Sequence, residues 1–185
     1  MIDGMVKPAS TDKILAATGM AFAEWATLLD AEGARALSHK QIADLIFATG
    51  NSSGWWAQTI TVAYEQHIGR RLPGQRADGR FSASILRALP VSAAEAFVAW
   101  RALIADETDI AGLKCKGEPT TSETASGLNW RCRTEDGSWA TGNFLDAAPN
   151  KCRASVGHEG LAEAGYVALV KDYWGGKLEG LRNQF

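Results

Sequence analysis

Three cysteines and one histidine carry the groups that could bind zinc. Cys115, Cys132 and Cys152 supply thiolates and His158 supplies an imidazole, and both are ligands that zinc prefers. No two of the cysteines have the close spacing of a zinc ligand pair, and their odd number does not indicate a disulfide framework. Because cysteines on strands are often small buried hydrophobic residues, we predict no metal site and no cofactor.

A second group of residues could do acid–base chemistry. An enzyme would need titratable groups that converge in a pocket. The candidates for such groups are Arg131, Arg133, His158 and Glu159. The sequence contains no HExxH, GxSxG, GxxxxGK[ST] or GxGxxG motif. We therefore favour a protein that is not an enzyme, and we assign no catalytic residue.

His158 has two interpretations of its own. It follows the last predicted strand, so it could be a polar group at the mouth of a cavity. Its neighbours Glu159 and Gly160 also fit a turn that caps the C-terminal helix. We favour the structural role.

The elements that must position these residues begin with a helical region. Apolar residues recur at helical spacing through residues 11–70, and Thr11 or Ser10, then Ser38 and Ser53, stand where N-caps are expected. The short connections between these predicted helices are typical of a helical bundle.

Adjacent side chains point about 100° apart on a helix, so Trp55 and Trp56 cannot both face one core. One is expected to pack inside the bundle, while the other contacts the second domain, a ligand or a partner protein; we favour the contact between domains.

A change of composition predicts a domain boundary. The segment RRLPGQRADGR at residues 70–80 holds four arginines, a proline and two glycines, without apolar periodicity. We place a solvated linker at residues 71–80, between a helical domain at 1–70 and a second domain at 81–185. A local basic patch is the alternative for its arginines.

The second domain combines strands with two helices. Phe81, Ala83 and Ile85 alternate with serines, which predicts a strand with one buried face, and Ser92 with Glu95 forms a capping-box pattern. Asp136-Gly137 predicts a hairpin turn, and apolar spacing predicts a final helix over Leu161–Leu181. Two adjacent glycines within it, at 175 and 176, indicate a kink or a close backbone contact. The fold class is therefore α+β: a curved antiparallel sheet covered by a long C-terminal helix, the helix-grip arrangement.

The helical region also resembles a known family. The segment SGWWAQTITVAYE at residues 53–65, followed by Gly69-Arg70 and PGQR at 73–76, is similar to a bacterial helical domain of unknown function. In that family the domain is often followed by a START-like domain of the SRPBCC superfamily. Those domains are commonly described as similar to activators of the heat-shock protein ninety ATPase.

The second domain resembles that START-like partner at both ends. The similar residues are Ser84-Ile85 and Pro90-Val91-Ser92 near the start, and CRASV at 152–156 and Tyr173-Trp174 near the end. The middle of the domain is shorter than in the family, so we predict an abbreviated version. The resemblance implies a cavity between the sheet and the long helix. In the wider superfamily this cavity carries lipids, polyketides or aromatic compounds.

These observations lead to one favoured function and two alternatives. We predict a non-catalytic protein that holds a small lipophilic ligand; the alternatives are a protein-interaction or chaperone-cofactor role for the helical domain, and a helix-turn-helix DNA regulator.

With 22% charged residues and a net charge of −2, no basic field attracts nucleic acid or a membrane surface. The N-terminal residues lack the apolar core of a secretory signal, so a cytoplasmic location is expected. The predicted lining of the cavity comprises Phe81, Ile85, Phe97, Trp100, Trp130, Trp139, Phe144, His158, Tyr166, Val170, Trp174 and Leu178.

Overall fold

The computed structural model describes residues 11–185. Ser10, the alternative N-cap, lies outside the described residues. Most of the N-terminal segment that lacks the apolar core of a secretory signal also lies outside them. The chain forms two compact units, and the boundary between them in the sequence lies between Pro73 and Gly74. Each unit has a hydrophobic core of its own.

The first unit is helical, as its apolar spacing predicts. Its helices are α1 (Thr11–Thr18), α2 (Phe22–Ala31), α3 (His39–Ala48) and α4 (Gly54–His67), with a 3-10 turn at Ala34–Ala36. Two predicted caps are confirmed: the Ser38 side chain accepts a hydrogen bond from the Gln41 amide, and the Ser53 side chain accepts one from the Trp56 amide. The core of this unit is built on fully buried Trp25, Ile42, Ile46, Ile60 and Tyr64.

A buried carboxylate binds the arginines that follow α4. Glu65 is only 5% exposed, and its carboxylate lies 3.0 Å from His39 Nδ1 and 3.5 Å from Arg71 Nε. The Arg70 guanidinium donates to the carbonyls of Leu37 at 2.8 Å and Arg35 at 2.5 Å. A buried charge is costly unless it is paired, which explains why these arginines stay on the helical unit.

The remaining two arginines of the predicted linker are held by the second unit. Arg76 is paired with Glu159, and Arg80 donates to the carbonyl of Gly160 at 2.7 Å. Within the predicted linker at residues 71–80, Arg71 is half-buried, whereas Arg76 and Arg80 are exposed to solvent while they also bind acceptors distant in sequence.

The second unit is a five-stranded antiparallel sheet with two helices on one face. The elements are β1 (Phe81–Leu89), α5 (Ala93–Leu103), β2 (Asp109–Ile110), β3 (Leu113–Lys114), β4 (Thr120–Thr124), β5 (Gly127–Arg133), β6 (Trp139–Ala148), β7 (Lys151–Leu161) and α6 (Gly165–Arg182). The strands of the sheet run in the order β1-β7-β6-β5-β4, and α5 and α6 cover its inner face. This confirms the predicted α+β fold, including the long C-terminal helix over the sheet.

Two adjacent glycines, Gly175 and Gly176, lie within α6. A side-chain carbon placed at Gly175 would lie 3.5 Å from Ile85 Cδ1, whereas one at Gly176 would meet nothing within 4 Å. The helix is continuous through both residues. A distance of 3.5 Å is an ordinary van der Waals contact, so the predicted close backbone contact is not found at either glycine, and the kink stays a prediction.

The last helix begins later than predicted. Leu161 belongs to β7 and pairs with Phe81, whereas α6 starts at Gly165. The register of β1 and β7 shifts next to Gly160, which has a φ of 76°. Such a bulge adds one residue to the strand and returns the Leu161 side chain to the core, where it is fully buried.

No single helix within residues 11–185 is long and apolar enough to cross a bilayer. Helices α1 and α2 reach the required length and composition only as a pair, and they are bent by 79° to each other. Their apolar residues Ile14, Trp25 and Leu29 lie in the core of the helical unit.

Candidate functional site

An aromatic cluster fills the space between the sheet and its two helices. Trp100 on α5 lies at its centre, with ring-centroid distances of 5.8 Å to Trp130, 5.7 Å to Phe144 and 5.7 Å to Trp174. Phe97 packs against Phe144 at 5.5 Å. Edge-to-face and tilted aromatic contacts at these distances stabilise a core beyond the burial of their area.

The structure brings together most of the side chains that were predicted to line a cavity. Because they pack against one another, this region is a core in which helix and sheet are joined directly. Buried members of that core are Phe81, Phe97, Trp100, Trp130, Phe144, Val170, Trp174 and Leu178, with Ile85 and Tyr166 half-buried against them.

Trp139 is the exception, and its predicted place is wrong. It pairs with Arg133 across β5 and β6, whereas Trp130 pairs with Gly142. Side chains alternate between the faces of a strand, so Trp139 lies on the outer face with Arg131 and Arg133, opposite the aromatic cluster. The turn explains the difference: Thr134 donates its amide to the Ser138 carbonyl at 3.0 Å, which makes a three-residue loop with Gly137 at a φ of 84°.

His158 lies within strand β7, with its side chain in the interior. The prediction that it is a turn residue that caps α6 is therefore wrong. It is 0% exposed and pairs with Ala83 and Ala140 on the inner face. Its Nε2 lies 2.9 Å from the hydroxyl of Ser138. That hydroxyl donates to the Asp136 carboxylate at 2.8 Å, which also accepts from Thr134 at 2.6 Å. Burial lowers the pKa of His158 to about 4, so the imidazole is neutral at physiological pH.

The four residues considered for catalysis do not converge. His158 faces the interior, while Arg131 and Arg133 lie on the outer face of β5. Glu159 is paired with Arg76. The side chains of neighbouring residues on a strand point to opposite faces of the sheet. The His158 side chain is therefore on the other face from all three charged groups.

Three buried polar atoms lack a hydrogen-bond partner within residues 11–185. They are the indole nitrogens of Trp100 and Trp174 and Nδ1 of His158. An unpaired buried donor costs about 1–3 kcal/mol, so a polar acceptor reaching the aromatic cluster would be favoured there. The sequence could not reveal this feature, since it depends on how the rings are turned.

A groove opens beside this cluster, between the C-terminal half of α5, the edge strand β4 and its neighbour β5. Its volume is about 570 Å³. Trp130 joins the groove to the aromatic cluster, and Val98 on its rim is 69% exposed. The lining consists of Val98, Arg101, Ala102, Ile104, Ala105, Glu118, Pro119, Thr121 and Trp130.

The cysteines are free thiols without activating neighbours. Cys132 and Cys152 are buried and Cys115 is half-buried. Burial and the adjacent Cys115 thiol raise the pKa of Cys132 to about 12, and burial raises that of Cys152 to about 11. A thiol must ionise to act as a nucleophile or metal ligand. In the part of the chain that the structure describes, no three potential ligands cluster.

The two adjacent tryptophans of the helical unit have different surroundings. Trp56 is half-buried against the helical core, while Trp55 is 67% exposed. Their rings meet edge to face at 4.6 Å. Trp56 thus packs inside the bundle, and the contact partner of Trp55 stays a prediction.

Comparison with known proteins adds little. No family model matches the sequence, and no curated protein matches it. Among solved structures, an uncharacterised protein of Bacillus thuringiensis is similar with a TM-score of 0.38 and 9% identity, covering 56% of this chain and 98% of that one. CalU16 of Micromonospora echinospora gives 0.38 and 13%, covering 58% and 76%. A Chromobacterium violaceum protein gives 0.29 and 14%, covering 55% and 95%. Similarities this weak indicate neither a family nor a function.

Proposed function

We propose that the second unit is a binding module for a small lipophilic molecule, held in the groove between α5 and strands β4 and β5. The observation that carries this proposal is a groove of about 570 Å³, lined by apolar and polar side chains together, whose wall includes Trp130. Ligand sites are concave and mostly apolar, with a few polar groups that fix orientation. Here Arg101 and Glu118 supply those polar groups.

The exposure of the groove supports this assignment. Val98 is an apolar residue on the rim that α5 leaves uncovered, and a bound apolar molecule would shield it from water. The site thus differs from the predicted cavity: the ligand rests beside the aromatic core rather than inside it.

The proposal includes the family that the sequence resembles. A START-like domain of the SRPBCC superfamily, in a cytoplasmic protein, would combine this helix-grip fold with binding of a lipophilic compound. The packed aromatic core fits an abbreviated version, since side chains occupy the space that a longer sheet could enclose.

Filling the groove should weaken binding. Ala102 is an exposed residue of the lining, so Ala102→Trp places an indole where the ligand would lie. We expect the neutral dye N-phenyl-1-naphthylamine to bind the full chain saturably, with a rise in its fluorescence. The variant should bind at least about tenfold more weakly, because the added ring clashes with any occupant.

Ala94→Trp is the matched control, since Ala94 is an exposed alanine of α5 that does not line the groove. It should bind the dye as the wild type does. Equal binding by all three proteins, or no saturable binding by the wild type, would overturn the proposal.

One observation favours a second candidate function for the helical unit. Trp55, at 67% exposed, and Phe47, at 58%, are large apolar side chains in water, as a contact surface for a protein partner requires. The helix-turn-helix alternative has less support, since Arg70 and Arg71 are bound to Glu65 and backbone carbonyls and are not available to phosphates.

A further inference from the structure

We propose that the outer face of the sheet carries a separate binding site for a phosphate or sulfate group, formed by Lys116, Arg131 and Arg133. These residues line a cavity of about 200 Å³ at the β5–β6 hairpin. The cavity lies on the face of β5 opposite the aromatic cluster, so it is independent of the lipophilic groove. The other lining residues are Thr134, Glu135, Gly137, Ser138 and Trp139.

A backbone bridge between the segment after β3 and the end of β5 brings these cations together. Lys116 donates its amide to the Arg133 carbonyl at 2.8 Å, beside the isolated antiparallel bridge between Cys115 and Thr134. Arg131 lies two residues earlier on β5, on the same face as Arg133. Like charges opposite each other on a sheet are destabilising, so this arrangement has a cost that a bound anion would offset.

Protein carboxylates do not neutralise the three side chains. Among the ion pairs of residues 11–185, none joins Lys116, Arg131 or Arg133 to an acidic group. Glu135 also lines the cavity, which leaves an excess of two positive charges among the lining residues. Asp136 does not line the cavity, and its carboxylate accepts hydrogen bonds from the hydroxyls of Thr134 and Ser138.

One of the cations is already held in position. The Arg131 guanidinium lies over the Trp139 ring, 5.4 Å from its centroid, and Trp139 is packed in turn against Gly160, where even a methyl group would come within 3.0 Å. A cation that is held before binding loses less entropy when the ligand arrives. The guanidinium fork matches two oxygens of a tetrahedral anion, and lysine adds a point charge.

The ligand class follows from this chemistry. Three cations around a surface cavity of this size suit the terminal phosphate or sulfate of a soluble molecule, or a phosphate headgroup at a lipid surface. Both sources present the same tetrahedral, multiply charged group.

Titration calorimetry of the full chain with inorganic phosphate tests the site. We expect saturable one-to-one binding that weakens with added salt. Arg133→Gln and Lys116→Gln should each weaken binding about tenfold or more, since each removes a charge-assisted hydrogen bond. Arg153→Gln, at an exposed arginine elsewhere on the unit, should leave binding unchanged. Absence of saturable binding, or an equal loss in Arg153→Gln, would overturn the proposal.

A second arm distinguishes the sources of the phosphate. Vesicles of phosphatidylcholine with and without phosphatidic acid are mixed with the wild type and with Arg133→Gln. Phosphate binding without vesicle binding supports a soluble ligand, whereas Arg133-dependent binding to phosphatidic acid supports a lipid headgroup. The dye experiment on the groove is read separately, because a neutral dye cannot use these cations.

Discussion

Replacing Trp100 with alanine is expected to lower the free energy of unfolding of the second unit by about 3–5 kcal/mol. Trp100 is fully buried and contacts Trp130, Phe144 and Trp174, so its removal leaves a cavity among rings supplied by both α6 and the sheet. Trp174→Ala, from the α6 side of the cluster, should cost a similar amount. Trp100→Phe should cost less, since it keeps part of the volume and removes an unpartnered N–H.

The measurement is urea denaturation monitored through hydrogen exchange of the β6 and β7 amides, which belong to the second unit. Trp55→Ala is the control for the same chemical change at an exposed site. It should change the stability of the helical unit, measured on α3 and α4 amides, by no more than about 0.5 kcal/mol. A loss below about 1 kcal/mol in Trp100→Ala would show that the cluster does not hold α5 and α6 to the sheet.

Acid should destabilise the second unit through His158. Burial lowers the pKa of His158 from 6.5 to about 4. Above pH 6.5 the imidazole is neutral in both states. As the pH falls below that value, the unfolded chain binds a proton that the folded protein does not, so stability falls until the pH reaches about 4. The difference between the two pKa values corresponds to about 3 kcal/mol.

A proton NMR titration of the histidine rings checks this expectation. We expect a midpoint near pH 4 for His158 and, in His158→Gln, the loss of most of the pH dependence of unfolding between pH 6.5 and 4. His67→Gln, at an exposed histidine, should leave that dependence unchanged. The nearby Asp136 has a lowered pKa, so its contribution is lost at lower pH, outside this window. A His158 midpoint near 6.5 would contradict the buried, neutral imidazole.

Local signals predicted the elements well. Ser38 and Ser92 each stand three residues before a Gln or Glu, and both form the capping boxes that this spacing indicates. The alternation from Phe81 to Ile85 gave β1, and the apolar spacing around Trp174 gave α6. These features depend on residues a few positions apart, which is why a single sequence contains them.

Register was the part that sequence could not give. A two-residue turn at Asp136-Gly137 would have placed Trp139 opposite Thr134, on the same face as Trp130. The three-residue loop instead pairs Trp139 with Arg133, and a one-residue change of register moves a side chain to the other face. The same effect at the Gly160 bulge returned Leu161 to the core.

The candidate sites depend on contacts distant in sequence. The groove brings α5 beside β4 and β5, and the cation site brings Lys116 next to Arg133. Trp130 and Arg133 were both noted in the sequence, but only the pairing of strands shows that they serve opposite faces.

The most direct test of the lipophilic groove is a nitrogen-15 NMR titration of the full chain with N-phenyl-1-naphthylamine, observed at the indole N–H groups of the seven tryptophans. The proposed function predicts a saturable shift of the Trp130 indole, which lines the groove, and no shift of Trp25, which is buried in the helical unit. The assignments come from tryptophan-to-phenylalanine variants. A titration in which the Trp130 signal stays fixed while dye binds, or in which only the exposed Trp55 responds, would contradict a ligand site beside the aromatic core.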